Sequence, residues 1–324
     1  MTESPVRIGL VGAGGIAKTH LGAYSHITDA VVTAICDPVV DAARTAAGPI
    51  GATAYDSIEN MLEEESLDAV DICTPTAFHQ PTALQAIDRG LHVLCEKPLA
   101  HNPAAARAIV EAAEFRDVLL MNGFCHRFHP PIAAVKGLIE RGEMGEVVMF
   151  RNRFAGPAAG IEKKWFSQKA ISGGGAFLDT SIHSIDLFRF LVGEVSRVQA
   201  AMRRTNPAVA EVEDTAMALL STVDDRMGVV ESCWSLQGGY NVVEVYGTRG
   251  AAIVHYWDGM KSRYKTTGMN DWAPLDETGP DRFTLEIQHF VDACLGRTAL
   301  QVTGYDGLRA VEIAAEAYAA AGWD

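Results

Sequence analysis

Residues 6–17 read VRIGLVGAGGIA, and this stretch decides the fold of the first half of the chain. Its apolar run predicts a buried strand, and the glycine pattern that begins at Gly12 opens a helix from Ile16 to about Tyr24. The first glycine permits a tight turn, the second lets the backbone come close to a ligand, and the small Ala17 lets the helix pack against the strand.

Four more apolar runs follow this strand, and amphipathic segments separate them. Continuous apolar runs of this kind are typical of parallel strands that crossover helices bury on both faces. We therefore predict an α/β domain with a doubly wound parallel sheet, a Rossmann fold, over residues 1–125. The five predicted strands lie within residues 6–12, 30–36, 68–74, 91–95 and 117–123.

The second half, residues 126–324, has a different pattern. A helix at about 132–141 precedes several alternating strands, and the segments TVDDRM (222–227) and YGTRGA (246–251) are typical of hairpin turns. We predict one α+β domain with a mostly antiparallel, open sheet and an amphipathic terminal helix at about 307–321.

Composition narrows the classes of function. The 324 residues carry 27 Lys and Arg against 41 Asp and Glu, a formal charge of −14 that argues against nucleic-acid binding. No apolar window approaches the length of a membrane span, so we expect a cytoplasmic protein that does not bind membranes. The six cysteines form no CxxC pair, so neither a disulfide framework nor a thiolate zinc site is predicted.

Asp37 ends the second predicted strand, twenty residues after Ala17. In dinucleotide-binding domains a carboxylate at this place binds the ribose hydroxyls, and the helix N-terminus binds the pyrophosphate. A carboxylate repels a 2′-phosphate, so we predict NAD as the cofactor, while Arg44 leaves NADP open as the alternative. The predicted cofactor-binding residues in this region are Gly12, Gly14, Gly15, Ile16 and Asp37.

Residues 94–100, LCEKPLA, end an apolar strand in a glutamate, a lysine and a proline. Open α/β sheets bind ligands beyond the carboxyl ends of their strands, so this turn and those after the neighbouring strands edge one crevice. The further predicted cofactor-binding residues at that edge are Thr74, Pro75, His79, Glu96, Lys97 and Asn122.

The segment GGGAFLDTSIH, residues 173–183, places Asp179 and His183 four residues apart on one face of a predicted helix. Such a pair can transfer protons, although an isolated Asp/His pair on a helix more often has no catalytic role. His126 and His129 have metal-ligand spacing, but Pro130 follows them and no acidic third ligand stands near, so no metal site is predicted.

Six features, in this order and at these spacings, closely resemble the glucose–fructose oxidoreductase, inositol dehydrogenase and rhizopine-catabolism family (Gfo/Idh/MocA), over essentially the whole chain. The most specific element is CEKP followed some 80 residues later by DxxxH. The six features are GAGGIAKTH, the strand-ending Asp37, CTPTAFH, CEKP, FCHRFHP and GGGAFLDTSIH.

The resemblance implies an NAD(P)-dependent oxidoreductase that moves a hydride between nicotinamide and a secondary alcohol or ketone of a sugar, cyclitol or related polyol. It implies that Lys97, Asp179 and His183 are catalytic, with His183 the base towards the alcohol, and that Glu96 helps to hold the cofactor. It also implies a cis bond before Pro98.

The resemblance further implies a cofactor groove lined by Thr74, Pro75 and His79, and places Arg127 and Trp165 in stretches that often face cofactor or substrate. Many relatives have glycine where this chain has Ser181, so the substrate fit cannot be taken over from inositol or glucose enzymes.

Two other functions stay open on the same fold. One is cleavage of glycosidic bonds through transient oxidation by NAD, and the other is a non-catalytic dinucleotide-binding regulator. The family also commonly forms dimers or tetramers through the second-domain sheet, so we expect a homodimer or homotetramer.

Overall fold

The structure is a computed structural model that describes residues 4–256 and 259–323. These residues form two compact units, one from residues up to 125 together with 280–309, the other from 126–279 together with residues from 310 onwards. The expectation of one domain over 126–324 is therefore wrong for the segment 280–309, which belongs to the first unit.

Helices and strands alternate through the first unit, whereas strands predominate in the second. The α-helices are α1 Gly15–Tyr24, α2 Val40–Ala47, α3 Ile58–Glu64, α4 His79–Asp88, α5 Pro103–Arg116, α6 Pro130–Glu140, α7 Lys169–Ser172, α8 Ile182–Leu191, α9 Arg282–Cys294 and α10 Gly304–Ala320. The strands are β1 Val6–Val11, β2 Ala30–Cys36, β3 Thr53–Tyr55, β4 Ala69–Ile72, β5 His92–Glu96, β6 Leu120–Gly123, β7 Val147–Ala155, β8 Arg197–Arg203, β9 Thr215–Ser221, β10 Met227–Cys233, β11 Val242–Gly247, β12 Gly250–His255, β13 Arg263–Thr266 and β14 Ala273–Pro274.

The first unit contains a six-stranded sheet in the order β3-β2-β1-β4-β5-β6, and all its pairs are parallel. All five predicted strands are present, and residues such as Ile8, Leu10 and Ile72 at its centre are fully buried. The edge strand β3 was not predicted, because three residues are too short to give an apolar run. This topology confirms the doubly wound α/β fold.

The second unit contains an eight-stranded sheet in the order β14-β13-β12-β11-β7-β10-β9-β8. Its pairs are antiparallel except β7 with β10, which run parallel from Met149 beside Met227. Both predicted hairpins are present, as β9–β10 and β11–β12. One face of the sheet packs on α8, where Phe150 meets Phe188 edge to face at 5.7 Å between ring centroids.

The segment 280–309 joins the first unit because α9 has an apolar face that packs against α1. Ile287, Phe290 and Val291 on this face are fully buried. The preceding Asp281 caps α9 by accepting hydrogen bonds from the N–H groups of Phe283 and Thr284. No helix among residues 4–256 and 259–323 has the length and apolar character needed to cross a membrane.

Glu286 of α9 is fully buried, and neither of its carboxyl oxygens has a hydrogen-bond partner among the described residues. Burial raises the pKa of this carboxyl well above its usual value, and the nearby charge of Glu96 raises it further. The folded chain therefore favours the protonated form of Glu286, because an unpaired charge in this place would be strongly destabilising.

We expect Glu286→Gln to stabilise the protein more as the pH rises. Below the pKa of a glutamate in an unfolded chain, about 4.3, both states hold the proton and the substitution changes little. Above that pH the unfolded wild type releases the proton while the folded wild type keeps it, which lowers the free energy of unfolding by up to about 1.4 kcal/mol per pH unit. Glutamine removes this loss.

Urea unfolding at several pH values measures the difference, and the same substitution at the exposed Glu111 is the control. We expect the variant and the wild type to diverge with rising pH at Glu286 but not at Glu111. A Glu286→Gln protein that is less stable than the wild type by the same amount at every pH would contradict a buried neutral carboxyl.

Candidate active site

The glycine turn between β1 and α1 has the shape that the sequence predicted. Gly12 has φ +101°, and a Cβ added there would lie 2.6 Å from the carbonyl oxygen of Cys73, so only glycine fits. Gly14 and Gly15 are exposed, and no atom lies within 4 Å of where their Cβ would be. The N-terminus of α1 is thus open to a ligand, and Ile16 is partly exposed beside it.

Asp37 follows the last residue of β2 and turns its carboxylate towards this glycine turn. Its Oδ2 accepts a hydrogen bond from the N–H of Ala13 at 2.9 Å, and its Oδ1 accepts one from Val39 at 2.8 Å. Arg44, the residue that left NADP open, forms an exposed ion pair with Asp41 at 3.0 Å. The turn therefore presents a fixed carboxylate where a ribose binds in such domains.

The turn after β5 displays one side chain. Among residues 93–100, Lys97 alone is partly exposed, and the others are buried. The Lys97–Pro98 bond is cis, as the resemblance implied. Glu96 has both carboxylate oxygens in use, since Oε2 accepts a hydrogen bond from the Lys97 N–H at 3.0 Å and Oε1 lies 3.2 Å from a ring nitrogen of His20. Glu96 therefore holds the turn from within.

Two other predicted cofactor residues brace this turn instead of lining its surface. His79 is buried, and its ring nitrogens lie 2.8 Å from the Thr74 carbonyl oxygen and 2.9 Å from that of Pro98. Burial lowers the pKa of His79, although the carbonyl contacts oppose this. Asn122 is also fully buried and donates to the carbonyl oxygen of Cys95 at 2.8 Å.

Thr74 and Pro75 remain partly exposed at the surface of the neighbouring turn. The hydroxyl oxygen of Thr74 has no hydrogen-bond partner among the described residues. The Thr74 hydroxyl is thus a buried polar group that the turn leaves without a partner, and the His79 ring lies between the carbonyl oxygens of Thr74 and Pro98.

His20 and Asp71 were not predicted from the sequence. Both are fully buried, and the Nδ1 of His20 donates to the Oδ2 of Asp71 at 2.8 Å. A signal was present in each case: His20 lies three residues after Ala17 on the buried face of α1, and Asp71 is a carboxylate inside an apolar strand, which needs a partner.

In the second unit, Asp179 lies in a π-helical turn, Phe177–Ser181, and His183 lies in the first turn of α8. Such a widened turn within a helix is frequent at functional sites. Of residues 176–188, only Asp179, Thr180 and His183 are partly exposed. The pair therefore shares the one accessible face of an otherwise buried helix.

Glu213 fixes the start of this helix, and it too was not predicted. Its buried carboxylate accepts hydrogen bonds from the N–H groups of Gly175 at 3.1 Å and Phe177 at 2.8 Å, and from the hydroxyl of Tyr318 at 2.8 Å. Burial raises the pKa of Glu213, and these hydrogen bonds counteract it. A Cβ on Gly175 would overlap the carbonyl oxygen of Glu213, which explains this glycine of the GGG run.

Aromatic rings surround His183. The ring of His126 packs against it edge to face at 4.5 Å, and the Nδ1 of His126 lies 3.0 Å from the hydroxyl oxygen of Tyr256. His129 stacks on Tyr256 at 4.6 Å. These histidines, which the sequence presented as an H-x-x-H pattern, therefore form one side of an aromatic cluster.

Arg127 and Trp165, the two remaining predicted residues, differ in position. Arg127 is buried and forms an ion pair with Asp186 of α8, with its Nε 2.9 Å from Oδ2. Trp165 is partly exposed and stacks on Phe166 at 3.8 Å. Ser181, the residue that sets this chain apart from the resemblance, is fully buried, so its hydroxymethyl group lies away from the face that carries Asp179 and His183.

The first unit fits a dinucleotide on its own observations. The open glycines at the N-terminus of α1, the fixed carboxylate of Asp37 and the unpartnered hydroxyl of Thr74 all lie at the carboxyl ends of parallel strands. An α/β sheet binds nucleotides at that edge. The chemistry of the donors is that of a cofactor with phosphates and ribose hydroxyls.

Comparisons with known proteins agree with this site. Residues 6–124 match the model of an oxidoreductase family with an NAD-binding Rossmann fold, and residues 132–253 match the GFO/IDH/MocA C-terminal domain. The chain is 31% identical over 322 residues to inositol 2-dehydrogenase of Rhizobium meliloti, covering 95% of this chain and 94% of that one. It is 28% identical to levoglucosan dehydrogenase of Pseudarthrobacter phenanthrenivorans, over 78% of this chain and 74% of the relative.

A solved levoglucosan dehydrogenase, in complex with NADH and levoglucosan, has the same fold, with a TM-score of 0.90 at 24% identity over 98% of both chains. The fold, the matched family models and the full-length relative agree. The chain is a member of the GFO/IDH/MocA family of NAD-binding oxidoreductases.

Proposed function

We propose that this chain is an NAD-dependent dehydrogenase that oxidises a secondary alcohol of a cyclitol or sugar, or reduces the corresponding ketone. The observation that carries the proposal is the turn after β5, where Lys97 is the one partly exposed residue of 93–100 and the buried Glu96 accepts a hydrogen bond from its backbone N–H. A lysine fixed in this way, at the edge of the sheet that binds the cofactor, is placed for proton transfer to or from a reacting oxygen.

The residues that would hold NAD are those of the open turns. Gly14, Gly15 and Ile16 would face the pyrophosphate at the N-terminus of α1, and Asp37 would bind the adenosine ribose. Thr74 and Pro75 would contact the cofactor from the neighbouring turn. When bound, NAD supplies the acceptor for the hydride.

We propose that Lys97, Asp179 and His183 handle the proton of the same alcohol. As the C–H bond of the alcohol carbon gives up its hydride, the O–H bond gives up its proton and a carbonyl forms. His183 would accept that proton, Asp179 would favour the protonated imidazole, and Lys97 would bind the oxygen on which charge develops. The two side chains of the second unit are suited to this because they share its accessible helical face.

The substrate class rests on the relatives. One is an inositol 2-dehydrogenase that matches nearly the full length of both chains, and another is a levoglucosan dehydrogenase. Both names describe oxidation of ring compounds that carry several hydroxyl groups. Cyclitols and sugars are therefore the class we propose, and the partly exposed rings of His126 and Tyr256 near His183 offer apolar surface for a ring.

The two other functions make different demands. A glycoside-cleaving enzyme with transient oxidation would release sugar without accumulating NADH. A dinucleotide-binding regulator would bind NAD and turn over no polyol, and it would have no need of a lysine held as Lys97 is. Neither is favoured by an observation in the structure.

We also propose that the chain forms a homodimer or homotetramer through the open face of the eight-stranded sheet. This face carries the half-exposed methionines Met149, Met217 and Met227, next to a cluster in which Glu231 binds Arg151 and Arg153. Apolar side chains beside paired charges suit a self-complementary interface. Light scattering at micromolar concentration should give a multiple of the chain mass, and a monomer mass would contradict the proposal.

We expect Lys97→Ala and His183→Ala each to lower kcat by about 100-fold or more, the loss typical of a general acid or base. Initial rates of NADH formation with inositol, levoglucosan and glucose measure the effect. Lys261→Ala, at an exposed lysine elsewhere in the chain, is the matched control and should keep the wild-type rate.

A circular dichroism spectrum and a dissociation constant for NAD, measured on each variant, separate loss of chemistry from loss of fold or cofactor. Wild-type turnover in both variants would overturn the assignment of these residues. Loss of NAD binding in His183→Ala would show that this side chain serves the cofactor instead.

A further inference from the structure

The imidazole of His20 lies between two buried carboxylates. Its Nδ1 is 2.8 Å from Oδ2 of Asp71, and its Nε2 is 3.2 Å from Oε1 of Glu96. His20 and Asp71 have 0% exposure and Glu96 has 6%. A neutral imidazole has only one N–H, and ionised carboxylates only accept hydrogen bonds. With both carboxylates ionised, two such contacts at once require the doubly protonated, cationic ring.

Within this cluster, the pKa values of His20 and Glu96 are each shifted towards the charged form. Burial is the largest single influence and opposes the charge of His20, but the charges and hydrogen bonds of Asp71 and Cys73 together raise the pKa of the imidazole well above its usual value. Burial would also raise the pKa of Glu96, but the hydrogen bond and charge of His20, with those of Lys97, lower it. The other titratable or charged groups near His20 are Tyr24 of α1, Cys73 after β4, Lys97 after β5, and Arg282 and Glu286 of α9.

The cluster connects the two turns that the proposed function uses. His20 is on α1, whose N-terminus is the glycine turn, and Asp71 is on β4. Glu96 ends β5, and its second oxygen accepts a hydrogen bond from the backbone N–H of Lys97 at 3.0 Å. A chain of direct contacts thus runs from α1 through His20 and Glu96 to the backbone of Lys97.

We propose that His20 is a positioning residue, a buried imidazolium that keeps Glu96 ionised and oriented so that Glu96 fixes the backbone from which Lys97 reaches the reacting oxygen. This inference rests on the proposed function of Lys97. His20 itself lies inside the unit and does not touch the substrate, so it acts through Glu96 alone.

The first test is independent of activity. Nitrogen chemical shifts of the His20 ring in the uniformly ¹⁵N-labelled full-length protein, measured from about pH 6 to pH 9, should be those of a ring with both nitrogens protonated at neutral pH. Asp71→Asn should lower the pH at which the ring loses its proton. A neutral ring in the wild type at pH 7 overturns the inference, whatever the enzyme does.

The second test uses turnover. His20→Gln keeps a donor but loses the charge, and we expect kcat with inositol, or with levoglucosan if inositol is not oxidised, to fall about 10- to 100-fold while KM for NAD changes little. The acidic limb of the kcat profile should move to higher pH, since Glu96 loses its cation. His26→Gln, at an exposed histidine just after α1, should leave rate and profile unchanged.

A merely structural His20 would lower the unfolding temperature of His20→Gln without moving the pH profile, and that result would overturn the inference. If His20→Gln retains kcat while Lys97→Ala loses it, the positioning role of His20 is rejected and the proposed role of Lys97 stands. Retained kcat in Lys97→Ala would reject the proposed role of the lysine itself.

One rival is a metal ion, because ligand atoms of His20, Asp71 and Cys73 lie within 4.8 Å of one another. A metal would take the lone pair of a ring nitrogen, which an imidazolium does not have. Elemental analysis of the purified protein should therefore find no stoichiometric zinc or other transition metal bound there. A stoichiometric metal that is lost in Cys73→Ser would overturn the inference.

Discussion

A carboxylate inside a protein needs a partner, and the contact of His20 with Glu96 and Asp71 meets that need for two carboxylates at once. The turn that presents Lys97 depends on this contact, because Glu96 can hold the Lys97 N–H only while its own position is fixed. His79 and Asn122 add hydrogen bonds to the same turn from neighbouring elements. The backbone of the partly exposed Lys97 is thus held by a buried polar network.

In the second unit, too, a buried carboxylate holds the segment that carries the accessible residues. Its accessible pair, Asp179 and His183, lies at the start of a helix whose first N–H groups have no partner within the helix. The carboxylate of Glu213 accepts from those groups, and Tyr318 supports that carboxylate. Arg127 then anchors the same helix through Asp186. In both units, buried ionisable side chains thus hold the segment that carries an accessible candidate residue: Lys97 in the first, Asp179 and His183 in the second.

Short sequence patterns predicted those elements of the fold that depend on residues within one segment. Apolar runs located β1, β2, β4, β5 and β6, and the glycine turn with Asp37 located the cofactor edge, because these depend on spacing within one segment. The short β3 and the return of 280–309 to the first unit depend on packing between distant segments. The same holds for the site: residue type singled out Lys97, but it could not show that Asn122 and His79 are buried braces, or that His20 pairs with carboxylates 51 and 76 positions away.

Hydride transfer from a polyhydroxylated ring compound to NAD is the reaction that we propose for the cofactor edge and Lys97 of the first unit with Asp179 and His183 of the second. The most direct measurement is the appearance of NADH absorbance when the purified chain is given NAD with each of a panel of inositols, sugars and sugar acids, with NADP run in parallel. We predict NADH formation with at least one cyclitol or sugar and slower turnover with NADP, because Asp37 repels a 2′-phosphate. Tight NAD binding without turnover of any panel member, or sugar release from glycosides without NADH, would contradict this reaction.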